Sequence, residues 1–321
     1  MNTDKLLVGM QSGGGWYTSN DDFGMKRAKD CGLEAIDYNI DHVINVGQYL
    51  AGREFPRCDL PVDEFVESYS ALKQASEKYG IKVDQMHAPY PIYVKDNPKA
   101  TDYLIALVEK IMAVCQYVGC TQLTVHPFGT IFPDENFNKQ DDLDINLEMY
   151  QRLIPSAKKY GVKICLENLM AVRMEGEKEI IIPGICADAD DAVYLVDTLN
   201  NIAGEEIFGF CFDVGHLNAC GLDVYSFIKK LGKRITALHI HDNDGTKDAH
   251  EIPYTQCAGA WGEKLGIDWE GYINGLKEVE YSGCLAFEAF RATRYMPADC
   301  TDDVLKLISS IGRYFRKRIS E

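Results

Sequence analysis

Eight short apolar runs, spread from one end of the chain to the other and separated by longer amphipathic stretches, leave few folds open. The runs at 7–10, 34–38, 82–87, 122–126, 163–167, 208–213, 235–241 and 285–288 have the length and composition of strands. Segments 62–79, 103–118, 145–160, 189–200 and 224–231 carry apolar residues at helical spacing. Gly80 and Gly161 stand where a helix should stop and the next strand begin. This alternation, with no Pro/Ser-rich linker and no low-complexity tract, predicts a single parallel α/β domain over 1–321. A count of eight favours a closed (β/α)₈ TIM barrel over an open doubly wound sheet. The open sheet would call for a dinucleotide-binding fingerprint after the first strand, and Gly13-Gly14-Gly15-Trp16 lacks its spacing. Those glycines read instead as a flexible first loop.

Charge narrows the partners. The net charge is −16, and no Lys/Arg run appears before 313–318. Nucleic acids and anionic membranes reward clustered cations, so neither is an expected partner. No apolar stretch approaches the roughly 18 residues of a membrane span, and the first residues are polar. The eleven cysteines are scattered without a CxxC pair, and Cys165, Cys211 and Cys284 sit inside apolar runs. Used as small hydrophobes, they point to a reducing compartment, the cytoplasm. Assembly beyond the single chain, as a homo-oligomer, is left open.

The chemistry concentrates where the strands end. His87, His126, His239 and His241 lie at strand C-termini, His216 just beyond one, and His250 in the loop after another. Glu167, Asp213 and Glu288 end their strands too. Active sites of (β/α)₈ barrels form on that rim. Alternation sharpens the point. Along 208–213 the phenylalanines share one face, which leaves Gly209, Cys211 and Asp213 on the inward face. Cys165/Glu167 and Cys284/Ala286/Glu288 repeat the pattern of a small residue beneath a carboxylate. Ala237, His239 and His241 also point inward, so four strands offer Glu167, Asp213, Glu288 and one of two histidines to a common point. Three packed carboxylates repel unless a cation neutralises them, and the inward basic candidate, Lys163, lies near the barrel floor. An oxygen-rich set with one imidazole suits a divalent ion: Mn²⁺ fits best, with Mg²⁺, Co²⁺ or Zn²⁺ as alternatives.

The segments QMHAPY, LTVHPFG, ICLEN, FCFDVGH, HIHDNDG…DAH…GIDW and LAFEAF resemble, in order along nearly the whole chain, the xylose-isomerase-like TIM barrels. That superfamily includes sugar isomerases, ketose 3-epimerases, inosose-processing enzymes and AP endonucleases. The resemblance implies a single-metal site of Glu167, Asp213, His239 and Glu288; Glu167 and Glu288, on strands three apart in an eight-stranded ring, are the expected acid/base pair. The resemblance also implies that His216 contacts the substrate. His239 is preferred to His241 as the ligand. The loop before Ile267 is longer than in many relatives, and it is expected to cover the site and bring Trp261 toward the substrate. In the endonuclease branch the residues matching His87, His126, His216, Asp248 and His250 hold two further zinc ions.

Four functions are weighed on this basis. The first is a metal-dependent isomerase or epimerase acting on a ketose or related polyol through an enediolate. A lyase using the same enolate, a keto-polyol dehydratase or a 3-keto-glycoside-cleaving enzyme, is the alternative. A zinc phosphodiesterase acting on abasic DNA needs a basic groove, and the net charge of −16 speaks against one. A barrel that had lost its chemistry would lack one of these ligands, and none is missing. The substrate-binding set is expected to be His87, His126, His216, His241, His250, Trp261 and Arg291, with Trp16 and Tyr90 as flat surfaces for sugar C–H faces. Arg291 and Arg294 are the candidates for an anionic substituent.

Overall fold

The structure is a computed structural model that describes residues 6–18, 20–40, 43–256 and 266–321. Eight parallel strands form the sheet: β1 (Leu7–Gln11), β2 (Ala35–Asn39), β3 (Lys82–His87), β4 (Gln122–Thr124), β5 (Lys163–Glu167), β8 (Phe208–Asp213), β9 (Ile235–His239) and β10 (Cys284–Phe287). Between β5 and β8, β6 (Met170–Glu175) and β7 (Lys178–Pro183) form a separate antiparallel hairpin. Neighbours pair in the order β10-β1-β2-β3-β4-β5-β8-β9. The ring closes through the Ile240–Phe287 bridge, where the Ile240 amide donates to the Ala286 carbonyl and its carbonyl accepts from the Glu288 amide, both at 2.9 Å. The fold is a TIM barrel.

Side-chain alternation separates two cores. Phe208, Phe210 and Phe212 join the main apolar layer between sheet and helices, where Phe212 stacks on Phe227 at 5.2 Å between centroids. Inside the barrel lie two small clusters, Cys165/Cys211/Ala237 and Ala35/Cys284/Ala286. The inward layer is therefore narrow directly below Glu167, Asp213 and Glu288, which leaves room for polar groups to converge above it. The ten cysteines among the described residues are free thiols. Among those residues no helix is long and apolar enough to cross a membrane.

Three expectations need correction. The hairpin β6–β7 was not anticipated, because it is mostly exposed and so shows no clear one-sided alternation. The helix expected over 62–79 is two, Val62–Glu67 and Ser70–Tyr79. Ser68 breaks it: its hydroxyl donates to the Phe65 carbonyl at 2.6 Å, and Arg57 Nη2 takes the Ser68 carbonyl at 3.2 Å. Strands β4, β9 and β10 end earlier than expected, so His126, His241 and Glu288 lie in the segments just beyond them.

The C-terminal helix Thr301–Ser320 seals the outside of β1 and β10. Phe287 stacks on Phe315, with centroids 6.2 Å apart. Beside them Gly312 approaches so closely that a Cβ there would stand 2.3 Å from Val8 Cγ1 and 3.0 Å from Phe287 Cε2. Val is stiff about χ1, so it cannot swing aside. Gly312→Val is therefore expected to destabilise the protein by about 1–3 kcal/mol through overpacking, despite removing a helix glycine. Urea unfolding measures this, and a neutral or stabilised variant would contradict the packing described.

Candidate metal centre and active site

Strand ends deliver the acidic groups, and a few polar locks hold them. Glu167, Asp213 and His239 are the last residues of β5, β8 and β9, and Glu288 directly follows β10. Asn168 ties two of these ends together: its Oδ1 accepts from the Asp213 amide at 2.9 Å and its Nδ2 donates to the Asp213 carbonyl at 2.7 Å. Asp213 also caps the short helix Val214–Ala219, where Oδ1 accepts from the His216 amide at 2.7 Å. Gln11, closing β1, donates to Glu288 Oε1. The result is convergence on one point. His239 Nδ1 lies 3.1 Å from Glu167 Oε1, 3.4 Å from Glu288 Oε2 and 3.9 Å from Asp213 Oδ2.

Four of the histidine rings, His87, His216, His239 and His250, share one arrangement, whereas Nδ1 of His126 and of His241 has no hydrogen-bond partner among the described residues. One nitrogen of each of the four is tied to a fixed acceptor: His239 Nε2 to Asp37 Oδ2 at 3.1 Å, His216 Nδ1 to the Asn168 carbonyl at 2.9 Å, His250 Nδ1 to the Glu288 carbonyl at 2.9 Å, and His87 Nδ1 to the Ala88 carbonyl at 2.8 Å. A neutral imidazole that donates through one nitrogen presents a lone pair at the other. Those second nitrogens face carboxylates or each other. His250 Nε2 is 2.9 Å and His216 Nε2 3.5 Å from Asp248 Oδ2, and His87 Nε2 is 3.0 Å from His126 Nε2. A lone pair turned on a carboxylate is repulsive, so a proton or a metal cation has to stand between them.

The electrostatics say which species does so in the bare protein. Burial pushes His216 and His239 down, but Asp213 and Asp248 beside His216, and Cys211, Glu167 and Glu288 beside His239, outweigh it and raise both well above the usual range. Burial pushes Glu167 and Asp213 up, and their histidine neighbours more than reverse that. Glu288 is raised by burial to about 7. His87 is lowered by burial and by His126 and His239. Without a cation, protons hold the cluster together.

A divalent cation suits the site as well. Glu167 Oε2 lies 2.9 Å from His126 Nε2 but off the line a hydrogen bond needs, so this buried oxygen has no donor; Asp37 Oδ1 and Asp248 Oδ1 are also without one. Among the described residues, none of Asp37, Glu167, Asp213, Asp248 and Glu288 pairs with Lys or Arg. Asp213, His239 and Glu288 offer ligand atoms within 4.8 Å of one another, as do Glu167, Asp213 and His216. Two further groups flank them, His87/Glu167/His239 with His126 alongside, and His216/His241/Asp248/His250.

A cavity of about 550 Å³ opens over the cluster, and His87, Tyr90, His126, Glu167, His216 and Glu288 are among its lining. The other candidates divide. His250 lines the same cavity, whereas His241 is fully buried behind the wall, stacked on His250 at 4.0 Å with Nε2 3.1 Å from Asp213 Oδ1. Gly215 makes room for it, since a Cβ there would stand 1.9 Å from His241 Cε1. His241 thus packs behind the site and is not set to touch a substrate. Arg291 turns to Glu251 at 3.5 Å and lies off the cavity, drawn away by that carboxylate; Arg294 lines it instead. Trp16 is buried, with its indole N–H donating to the Gln11 carbonyl at 2.8 Å, and offers no face to a ligand. Trp261 lies outside the described residues.

Sequence reasoning missed Asp37 and Gln11. Asp37 occupies an inward position of a strand already identified, so alternation alone would have found it; Gln11 closes β1 one residue beyond the run 7–10, and extending that alternation by one residue reaches it.

The family described as "Xylose isomerase-like TIM barrel" matches residues 25–311. Among curated relatives, the inosose isomerase of Bacillus subtilis is 24% identical over 199 residues, 62% of this chain and 64% of that protein. The match therefore spans a little under two thirds of the relative's length. Two solved structures share the fold. A D-tagatose 3-epimerase-like protein superposes with a TM-score of 0.63 at 17% identity, over 96% of this chain and 98% of its own. The IOLI protein with a bound zinc atom gives 0.64 at 18% identity, over 97% of each chain.

Two outcomes follow from the proton-or-metal competition. A metal held by Glu167, Asp213, His239 and Glu288 must displace the protons on His239 and Glu288, both of which have raised pKa values. Divalent metal affinity should therefore fall as pH drops, from above 7 as His239 takes up its proton and further through about 7 as Glu288 does, with protons released on binding. Calorimetry in buffers of different ionisation enthalpy reads both, and pH-independent binding without proton release would refute the competition. Asp37→Asn should weaken metal binding by about 10–100-fold, because it loosens the ring orientation of His239. Unchanged affinity would remove Asp37 from the centre.

Proposed function

The chain belongs to the xylose isomerase-like TIM barrel family, and from that premise we propose that it is a divalent-metal-dependent isomerase or epimerase of a ketose or related polyol. The observation that carries this reading is the pair of glutamates facing one cavity. Glu167 and Glu288 come from β5 and β10, three positions apart around the ring, and both line the space above the cluster. A planar enediolate between them is open to a carboxylate on either side, so one glutamate removes a proton beside the carbonyl and the other returns it. Delivery to the opposite face gives an epimer, and delivery to the neighbouring carbon gives the isomer.

Glu167, Asp213, His239 and Glu288 would hold the ion, with Mn²⁺ the best match to this oxygen-rich set. When bound, a divalent cation supplies Lewis acidity that makes a C–H next to a carbonyl more acidic. The protein supplies the rest. His216, His87, His126 and His250 border the cavity with ring nitrogens that donate to or accept from hydroxyls, and Tyr90 gives a flat apolar surface. Gln11, donating to Glu288 Oε1, orients the second glutamate.

A second reading has one observation in its favour. The flanking groups around His87/His126 and His216/Asp248/His250 have the spacing of further metal sites, as a multi-metal phosphodiesterase would require. The net charge of −16 opposes it.

Incubating the metal-loaded protein with ketoses and inososes in D₂O tests the first reading. Deuterium should enter at the carbon beside the carbonyl, and Glu167→Gln and Glu288→Gln should each slow that exchange by about 10²–10⁴-fold. Metal analysis should give close to one equivalent. Three equivalents together with nicking of an abasic duplex would replace the isomerase reading with the phosphodiesterase one.

A further inference from the structure

Another part of the cavity wall is built differently. It consists of the segment Gly13-Gly14-Gly15 after β1 and of Arg294, from the short helix Phe290–Tyr295 after β10. The two pieces are pressed together. A Cβ at Gly14 would stand 2.6 Å from both the Phe290 carbonyl oxygen and Thr293 Oγ1, and Thr293 Oγ1 donates to the Gly14 carbonyl at 3.3 Å. Gly14 and Gly15 have φ of +76° and +84°, and a Cβ on Gly15, the exposed member of the three, would meet nothing within 4 Å, so the backbone is open there. Among the described residues, the amides of Gly13, Gly14 and Gly15 donate to no other backbone group.

Arg294 is the one Lys or Arg in the described lining, which otherwise carries the acidic Glu167, Asp248 and Glu288. It has no carboxylate partner among the described residues; its guanidinium rests over the Phe290 ring, 5.4 Å from the centroid. Its neighbour Arg291 is spoken for by Glu251. A neutral polyol leaves this cation with no charge to meet, whereas a substrate bearing an anion satisfies the fork and the bare amides together.

Resting on the isomerase reading above, we propose that the substrate carries an anionic group, a phosphate or a carboxylate, remote from its reacting carbonyl, and that Arg294 and the Gly13–Gly15 backbone bind it. The loops after the last strands of such barrels are well placed for an oxyanion. Arg294 thereby sets specificity without touching the reacting atoms.

The test compares three probes on the Mn²⁺-loaded protein: a six-carbon ketose, its 6-phosphate, and the corresponding ketose acid with a carboxylate at that carbon. Dissociation constants come from calorimetry, so no turnover is needed and a failed isomerase reading stays distinguishable. At least one anionic sugar should bind ten or more times tighter than the neutral ketose, and which one does so separates phosphate from carboxylate. Arg294→Ala should cut that preference about tenfold or more, with Arg294→Lys keeping part of it. Arg294 is exposed, so neither change threatens folding. Equal binding of all three, binding of none at millimolar concentration, or a preference untouched in Arg294→Ala would each overturn the proposal. Absence of deuterium exchange with tight, Arg294-dependent anion binding would instead sink the isomerase chemistry and leave the subsite standing.

Discussion

The site depends on the way its imidazoles are anchored. Each of His87, His216 and His250 donates one ring N–H to a backbone carbonyl, and His239 donates to buried Asp37. Carbonyls held by strand ends do not rotate, so the ring planes are fixed before anything binds. The remaining nitrogens then have no choice of direction, and they point into a knot of carboxylates. Left bare, such a knot takes up protons, as the raised His216, His239 and Glu288 show. The protein is thus organised around a deficit of positive charge, which protons or a metal ion can fill. The same cavity also carries Arg294, the one Lys or Arg in its described lining.

Everything below the rim serves that convergence. Large inward side chains would fill the barrel mouth, so small ones stand under the acids: Cys165 and Cys211 beneath Glu167 and Asp213, Ala286 beneath Glu288. The bulk is moved outward, to the phenylalanines of β8 and the aromatic contacts of the C-terminal helix. Burying four carboxylates, Asp37, Glu167, Asp213 and Glu288, at one mouth costs stability unless each is matched. The structure matches them with imidazole rings, the His216 amide and Gln11 rather than with lysine or arginine, and that leaves the charges free to bind a cation.

Much of this was legible in the sequence because a strand has period two. Once 163–167 and 208–213 are strands, Glu167 and Asp213 must face inward above small residues, and the structure places them so. Asp37 and Gln11 obey the same rule. What alternation could not show is where a side chain goes after its strand stops. His241 continues the inward parity of β9, yet Gly215 opens a slot that takes its ring behind the wall. Arg291 and Arg294 look equivalent in sequence; one turn of a short helix gives the first to Glu251 and the second to the cavity. Trp16 reads as an exposed aromatic in a glycine loop, but its indole N–H finds the Gln11 carbonyl and buries the ring. The hairpin β6–β7 has too little buried surface to print a pattern at all.

The seam of the barrel ties these observations together. Every neighbouring pair of barrel strands has a ladder except β9 and β10, which meet through Ile240 alone, its amide on Ala286 and its carbonyl on the Glu288 amide. That single residue sits between His239 and His241, so one peptide fixes the height of Glu288 relative to both rings. His250 then reaches back from the loop after β9 to the Glu288 carbonyl, which clamps the same residue from the other side. A full ladder would have carried both strands straight past the mouth. Ending it at one bridge lets the chain leave the sheet there, so that Glu288, His241 and the Arg294 segment can take up separate places around the cavity while their common origin stays fixed.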